Sequence, residues 1–294
     1  MSASNHLQVE LLSRPPGGPG ALIIGVVLAA MLYGVTSQQV VFYFGHFPQD
    51  GFFVKLWVIA LWILDTVTTA LSGHVVYNFF VLRFGELSYF PLSNWAFSVA
   101  ALTTGAIIFL VQAFFIFRIR KLRRRVFPES RLTNVMFVFF TLLSLYAFAT
   151  SIQLTYYDVS LPEAASRRPI YISNITIGTG LDVLITFAMV LILHQHRNEF
   201  AAKRNSIEQL IFFFFTRGVI LTVFQALQVT LSYAAPKTNS WFVVFVCISK
   251  VYANSALVTL NNRERLERRA SEARQLGYMM SGTYELSAPL ELSR

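Results

Sequence analysis

Seven long apolar segments run along this chain, at 20–44, 52–80, 91–117, 132–155, 171–193, 207–234 and 240–260. Each is long enough to cross the roughly 30 Å hydrocarbon core of a bilayer, which takes about 20 apolar residues. Lipid offers no hydrogen bonds to the backbone, so such segments must be helices or strands of a closed barrel. Barrel strands would alternate in runs of about ten residues, and these segments do not. The expected fold is therefore all-α, a polytopic seven-transmembrane-helix bundle. Composition agrees: 55% of the 294 residues are hydrophobic, only 13% are charged, and 28 are Phe. A soluble domain carries about a quarter charged residues.

The net charge of +9 is not a nucleic-acid signal, because the basic residues border the spans and act as topology signals. The 118–131 loop holds seven (Arg118, Arg120, Lys121, Arg123, Arg124, Arg125 and Arg131), 194–206 holds Arg197, Lys203 and Arg204, and 263–276 holds five arginines. The opposite side has Arg14, Arg83, Arg167, Arg168 and Lys237. Fifteen against five predicts an N-terminus outside and a C-terminus in the cytoplasm. The expected organisation is a short outer tail at 1–19, a membrane domain at 20–262, and a basic cytoplasmic tail at 263–294. No short apolar core follows a basic start, so the first span is expected to serve as the signal anchor. The expected location is the plasma membrane or another secretory-pathway membrane. Anionic lipid is the expected partner of the basic inner loops, with 118–125 as the main patch. The sequon Asn174-Ile175-Thr176 falls on the outer side, too close to the membrane for ready glycosylation.

Ionisable residues inside spans are costly, about 2.5–3.5 kcal/mol each at a helix centre. Four stand near span centres: Asp65, Asp182, Arg217 and Lys250. Two acids and two bases at similar depth suggest one neutral buried polar layer. Helical spacing puts Asp65 on a face with Thr68, Thr69 and Ser72, and Lys250 with Asn254 and Asn261. It puts Asp182 with Gly178 and Thr186, and Arg217 with Gln228. Asp65 and Lys250 are expected to pair or to contact ligand, with Tyr252 and Asn254 in support. His74 lies nearer the outer surface and points away from Asp65, and joins Asp65, Asp182, Arg217, Lys250, Tyr252, Asn254 and Asn261 as a candidate for binding a ligand or ion.

Specific chemistries find little support. A retinal Schiff base at Lys250 would want a carboxylate nearby, yet Val246 precedes it by one turn and the third span has no acid. Gly178-Thr179-Gly180-Leu181-Asp182 has one residue too many for the Gly-x-Gly-Asp pattern of intramembrane aspartyl proteases. His194 and His196 read as interfacial residues, and no converging ligand set predicts a metal. No phosphate loop or nucleophile elbow occurs, and no cofactor is expected. The third span ends Phe117-Arg118-Ile119-Arg120, the seventh lacks Asn-Pro-x-x-Tyr, and the single cysteine, Cys247, excludes an intrachain disulfide. The usual signatures of G-protein-coupled receptors are thus missing.

Two stretches carry a likeness: Trp62-Ile63-Leu64-Asp65-Thr66 followed by His74 and Tyr77, and Ser249-Lys250-Val251-Tyr252-Ala253-Asn254-Ser255 followed by Leu260-Asn261-Asn262-Arg263. They resemble an uncharacterised family of fungal seven-helix integral membrane proteins of unknown function. The likeness extends over most of 20–265. Family members often have Asn-Thr-Gly where this chain has Thr216-Arg217-Gly218. The resemblance implies a seven-helix membrane protein from a fungus and points to Asp65, Lys250, Tyr252, Asn254 and Asn261, but supplies no activity.

The leading expectation is a receptor-like or sensory protein, with a small ligand in the bundle and a cytoplasmic signalling partner. The rival is a transporter or channel for a small solute or protons. A third reading makes the buried charges devices that only fix helix packing.

Overall fold

A computed structural model describes residues 18–82, 95–126, 131–160, 164–195, 204–234 and 240–262. All of them except a short turn at 47–51 are helical. We number the helices α1 (Gly18–His46), α2 (Phe52–Tyr77), α3 (Trp95–Val126), α4 (Arg131–Ser160), α5 (Ala164–Gln195), α6 (Arg204–Ala234) and α7 (Ser240–Asn262). All seven are long and apolar enough to cross a membrane. Residues Asn78–Leu82 continue α2 as a wider π-helical turn.

Several helices outrun the apolar segments that predict them. α3 runs to Val126, through most of the basic patch, and α5 begins at Ala164. Hydropathy marks only the stretch that suits hydrocarbon. A helix continues for as long as backbone bonding costs nothing in the interfacial region. The two tails and the side chains of Arg123, Arg124 and Arg125 lie outside the described residues.

Helices adjacent in sequence pack side by side from α1 to α6, and α3 also meets α5. α7 fills the middle: 72% of its most apolar window is buried, against 22–39% for the other six. α7 runs parallel to α1 in a repeating register. The Asn254 amide donates to the Leu32 carbonyl at 3.1 Å, and Asn261 donates to the Gln39 carbonyl at 2.9 Å. Seven residues separate the donors and seven separate the acceptors, the period that keeps two close-packed helices in step. Further up, Gly25 lets α1 approach so closely that a Cβ there would stand 3.1 Å from the Val243 Cα. Small residues at crossings do the same work in membrane bundles generally.

Two apolar clusters make the interior. One holds Leu22, Ala29, Val75, Phe97 and Phe242; the other holds Tyr43, Leu61, Phe115, Leu181, Ile185, Leu221 and Leu257. Outward faces carry Ile24, Met31, Phe53, Leu142, Phe187 and Val223, a belt suited to lipid rather than water.

Candidate functional site

The four intramembrane charges, read from sequence as one layer, separate into two centres on opposite sides of α7. Lys250 and Tyr252 stand two residues apart on that helix. At 100° per residue they face nearly opposite ways, so one helix presents a polar group to each centre.

The first centre is an ion pair. Lys250 Nζ lies 2.9 Å from Asp65 Oδ1, with both side chains fully buried. A second contact runs from Nζ to the Asp65 backbone carbonyl at 3.4 Å. The pair falls at the junction of the two apolar clusters. Around it, α2 looks after its own hydroxyls: Thr68 donates to Leu64 O and to Thr103 of α3, Thr69 to Asp65 O, and Ser72 to Thr68 O. Such back-bonding satisfies a hydroxyl in hydrocarbon without a second helix. The carboxylate is half-used, since Asp65 Oδ2 is buried with no partner.

The second centre gathers residues from five helices around Asp182 of α5. Tyr252 of α7 donates its hydroxyl to Oδ2. Gln225 of α6 donates to the same oxygen at 3.0 Å and also meets the Tyr252 hydroxyl. Gln112 of α3 reaches Oδ1 at 3.5 Å, while its own carbonyl oxygen accepts from Ser144 of α4 at 3.1 Å. Thr179 of α5 closes the ring onto Gln225 Oε1. Asp182, Gln112, Ser144 and Gln225 are all buried. A carboxylate that accepts this many bonds is compensated by dipoles rather than by one counter-ion.

Arg217 borders this centre from α6. Its Nε donates to Ser255 of α7 at 3.2 Å, and Ser255 in turn donates to the Tyr252 carbonyl at 2.7 Å. The guanidinium carbon lies over the Phe115 ring, 3.6 Å from its centroid. That is close cation–π geometry in a desolvated place. No ion pair joins Arg217 to Asp182, so Arg217 balances Asp182 across the centre without touching it. Its Nη2 is buried and has no acceptor. Next in the chain, Gly218 is required by space: a Cβ there would fall 2.5 Å from the Thr186 side chain of α5.

Other residues singled out from sequence lie apart. His74 keeps company with the Trp95 ring, 5.6 Å between centroids, and joins neither centre. Asn254 and Asn261 hold α1 through the carbonyl contacts given above. At the end of α3, Arg120 stacks on Phe137 at 4.0 Å, Arg118 lies 5.8 Å from the Phe214 ring, and Lys121 is exposed. The Asn174 amide is engaged inside the bundle with Ala147 O, Thr150 and Ser151. Among the described residues no cluster of His, Cys, Asp or Glu could hold a metal.

A search by charge passes over Gln112, Ser144, Thr179 and Gln225. The available signal is weaker: a neutral amide in an otherwise apolar span also needs an interior partner. Gln112 is the one amide between Phe97 and Phe117.

Residues 178–265 match a family of unknown function (DUF6534). That stretch is under a third of the chain. It contains Asp182, Arg217, Gln225, Lys250 and Tyr252, but neither Asp65 nor Gln112. No curated protein matches the chain, and no solved structure does.

Proposed function

We propose that this protein is a receptor-like membrane protein that binds a small ligand at the centre around Asp182 and Arg217. α7 then carries the change to the end of the bundle where α3 bears Arg118, Arg120 and Lys121. The observation that supports this is the place of α7, the most enclosed helix, with Lys250 turned to one centre and Tyr252 to the other. A shift of α7 that improves one set of contacts must disturb the other, and a packed interior answers such a conflict in steps rather than smoothly. Intramembrane charge is a pointer to function by default. Fixed packing alone would be served as well by apolar side chains of similar volume.

In this reading the N-terminus is outside and residues 263–294 form a cytoplasmic tail, with the Lys/Arg asymmetry as the support. The membrane is the plasma membrane or another of the secretory pathway. Anionic lipid and a signalling partner meet the Arg118–Arg125 side. On the Trp62–Thr66 and Ser249–Ser255 stretches, we place the chain beside fungal seven-helix proteins.

A transporter is the second reading, favoured by the unpartnered Asp65 Oδ2 beside Lys250, where a proton could be exchanged. Against it, the helices that build the two centres run unbroken through them, whereas transporter sites are commonly built on interrupted helices.

The test uses the full chain in nanodiscs, with spin labels at Lys121→Cys and Asn262→Cys. Cys247 is buried and leaves the labelling selective. Compounds that raise thermal stability should change the inter-label distance distribution, and Lys250→Met should abolish that change. Solute or proton flux in proteoliposomes that Asp65→Asn and Lys250→Met abolish would replace the receptor reading with the transporter.

A further inference from the structure

The ligand's chemistry can be read from what the second centre leaves unmet. Its charges already cancel, Asp182 against Arg217, and the carboxylate is occupied by Tyr252, Gln225 and Gln112. An incoming anion or cation would add an uncompensated charge in a low-dielectric interior, which is strongly disfavoured. The polar capacity left over is a hydrogen-bond donor: Arg217 Nη2, in a side chain 96% buried (4% exposed), with no acceptor. Buried donors are nearly always paired, so an unpaired one in a built site asks for an explanation. The Thr186 hydroxyl, against Gly218 in the same α5–α6 contact, is buried and unpartnered as well. Beside them the Phe115 ring presents an apolar wall against the guanidinium.

We infer that the site takes an uncharged, lipophilic molecule carrying a hydrogen-bond acceptor, a ketone-, ester- or amide-type carbonyl, whose oxygen is held by Arg217 Nη2. This rests on the receptor reading for the site's location and adds the ligand class. Arg217 is a fitting anchor because its planar fork can keep Nε on Ser255 while Nη2 serves the ligand, which a lysine could not do. No bond is made or broken. The ligand would displace nothing charged and could partition in from the bilayer.

The experiment is a thermal-stability series on the purified full chain with straight-chain methyl ketones, set beside alkanes and alkanoates of the same chain lengths. The expected result is a Tm increase with the ketones well above that with the matched alkanes and alkanoates. In Arg217→Lys, which keeps a cation opposite Asp182 and so should fold, the apparent ketone affinity should drop about tenfold or more, the scale of one hydrogen bond to a charged group. Thr186→Val should fold like wild type and bind the ketones severalfold more weakly. The inference is overturned if alkanoates stabilise more than ketones, if ketones do no better than alkanes, or if Arg217→Lys binds them as wild type does. The label distance described above separates the two ideas. Ketone binding without movement sinks the receptor and leaves the ligand class standing. Movement driven by other compounds, with ketones inert, does the reverse.

Discussion

The two centres flanking α7 hold their carboxylates in contrasting ways. Asp65 relies on one partner, the Lys250 ammonium at 2.9 Å, and leaves its second oxygen bare. Asp182 relies on a hydroxyl and two amides from three different helices, while its balancing cation stands off on an aromatic ring. A point-to-point pair is strong only while both ends are present. A network of dipoles spreads its dependence over many residues, and losing any one of them costs little. The comparison therefore predicts steep effects at the first centre and graded ones at the second.

The steepest is Lys250→Met. It strands a buried carboxylate, and removing one partner of a buried pair typically costs about 3–5 kcal/mol. The double variant Asp65→Leu/Lys250→Met should recover most of that loss, because apolar residues of similar volume often replace a buried pair at no cost. Unfolding in mixed micelles would measure both. A double variant as damaged as the single one would show that the pair is not what Lys250 is for.

Next is Gly218→Ala. The added methyl would meet Thr186 at 2.5 Å, so α5 and α6 must part, at an expected cost of about 1–3 kcal/mol. Amide hydrogen exchange should rise in α5 and α6 around Asp182 and stay unchanged in α2 around Asp65. Equal change at both would mean that the centres are not separable.

Tyr252→Phe should be milder still. Polar contacts between transmembrane helices average about 0.6 kcal/mol, and Gln225 and Gln112 remain on the carboxylate. The smallest effect is expected from Gln112→Leu, whose bond to Asp182 is long at 3.5 Å; the hydroxyl of Ser144 can turn back to its own helix. If either neutral substitution matched Lys250→Met in the same unfolding assay, the contrast between pair and network would fail.

Hydropathy was enough to foresee seven membrane-length helices, because a bilayer leaves so few alternatives. It could not set their ends: the arginines past Phe117 carry no apolar signal, yet α3 continues through them. Charge was equally plain at the sites. Asp65, Asp182, Arg217 and Lys250 declare themselves by cost, and spacing placed each on a polar stripe. How they divide was not legible, because the phase of α7 relative to its neighbours depends on packing. Lys250 and Tyr252 look like one motif in the chain and serve two centres in space. The asparagines after them donate to carbonyls of α1, contacts that side-chain chemistry alone does not foretell.

The central claim is that α7 joins the two centres, and a double-mutant cycle tests it without any ligand. Asp65 and Gln225 share no hydrogen bond and belong to different centres, so independent behaviour would make Asp65→Asn and Gln225→Leu additive within about 0.3–0.5 kcal/mol. Coupling through α7 predicts a clearly larger interaction energy in the stability of the double variant. Additive losses would contradict the account and leave two unconnected polar sites in one bundle.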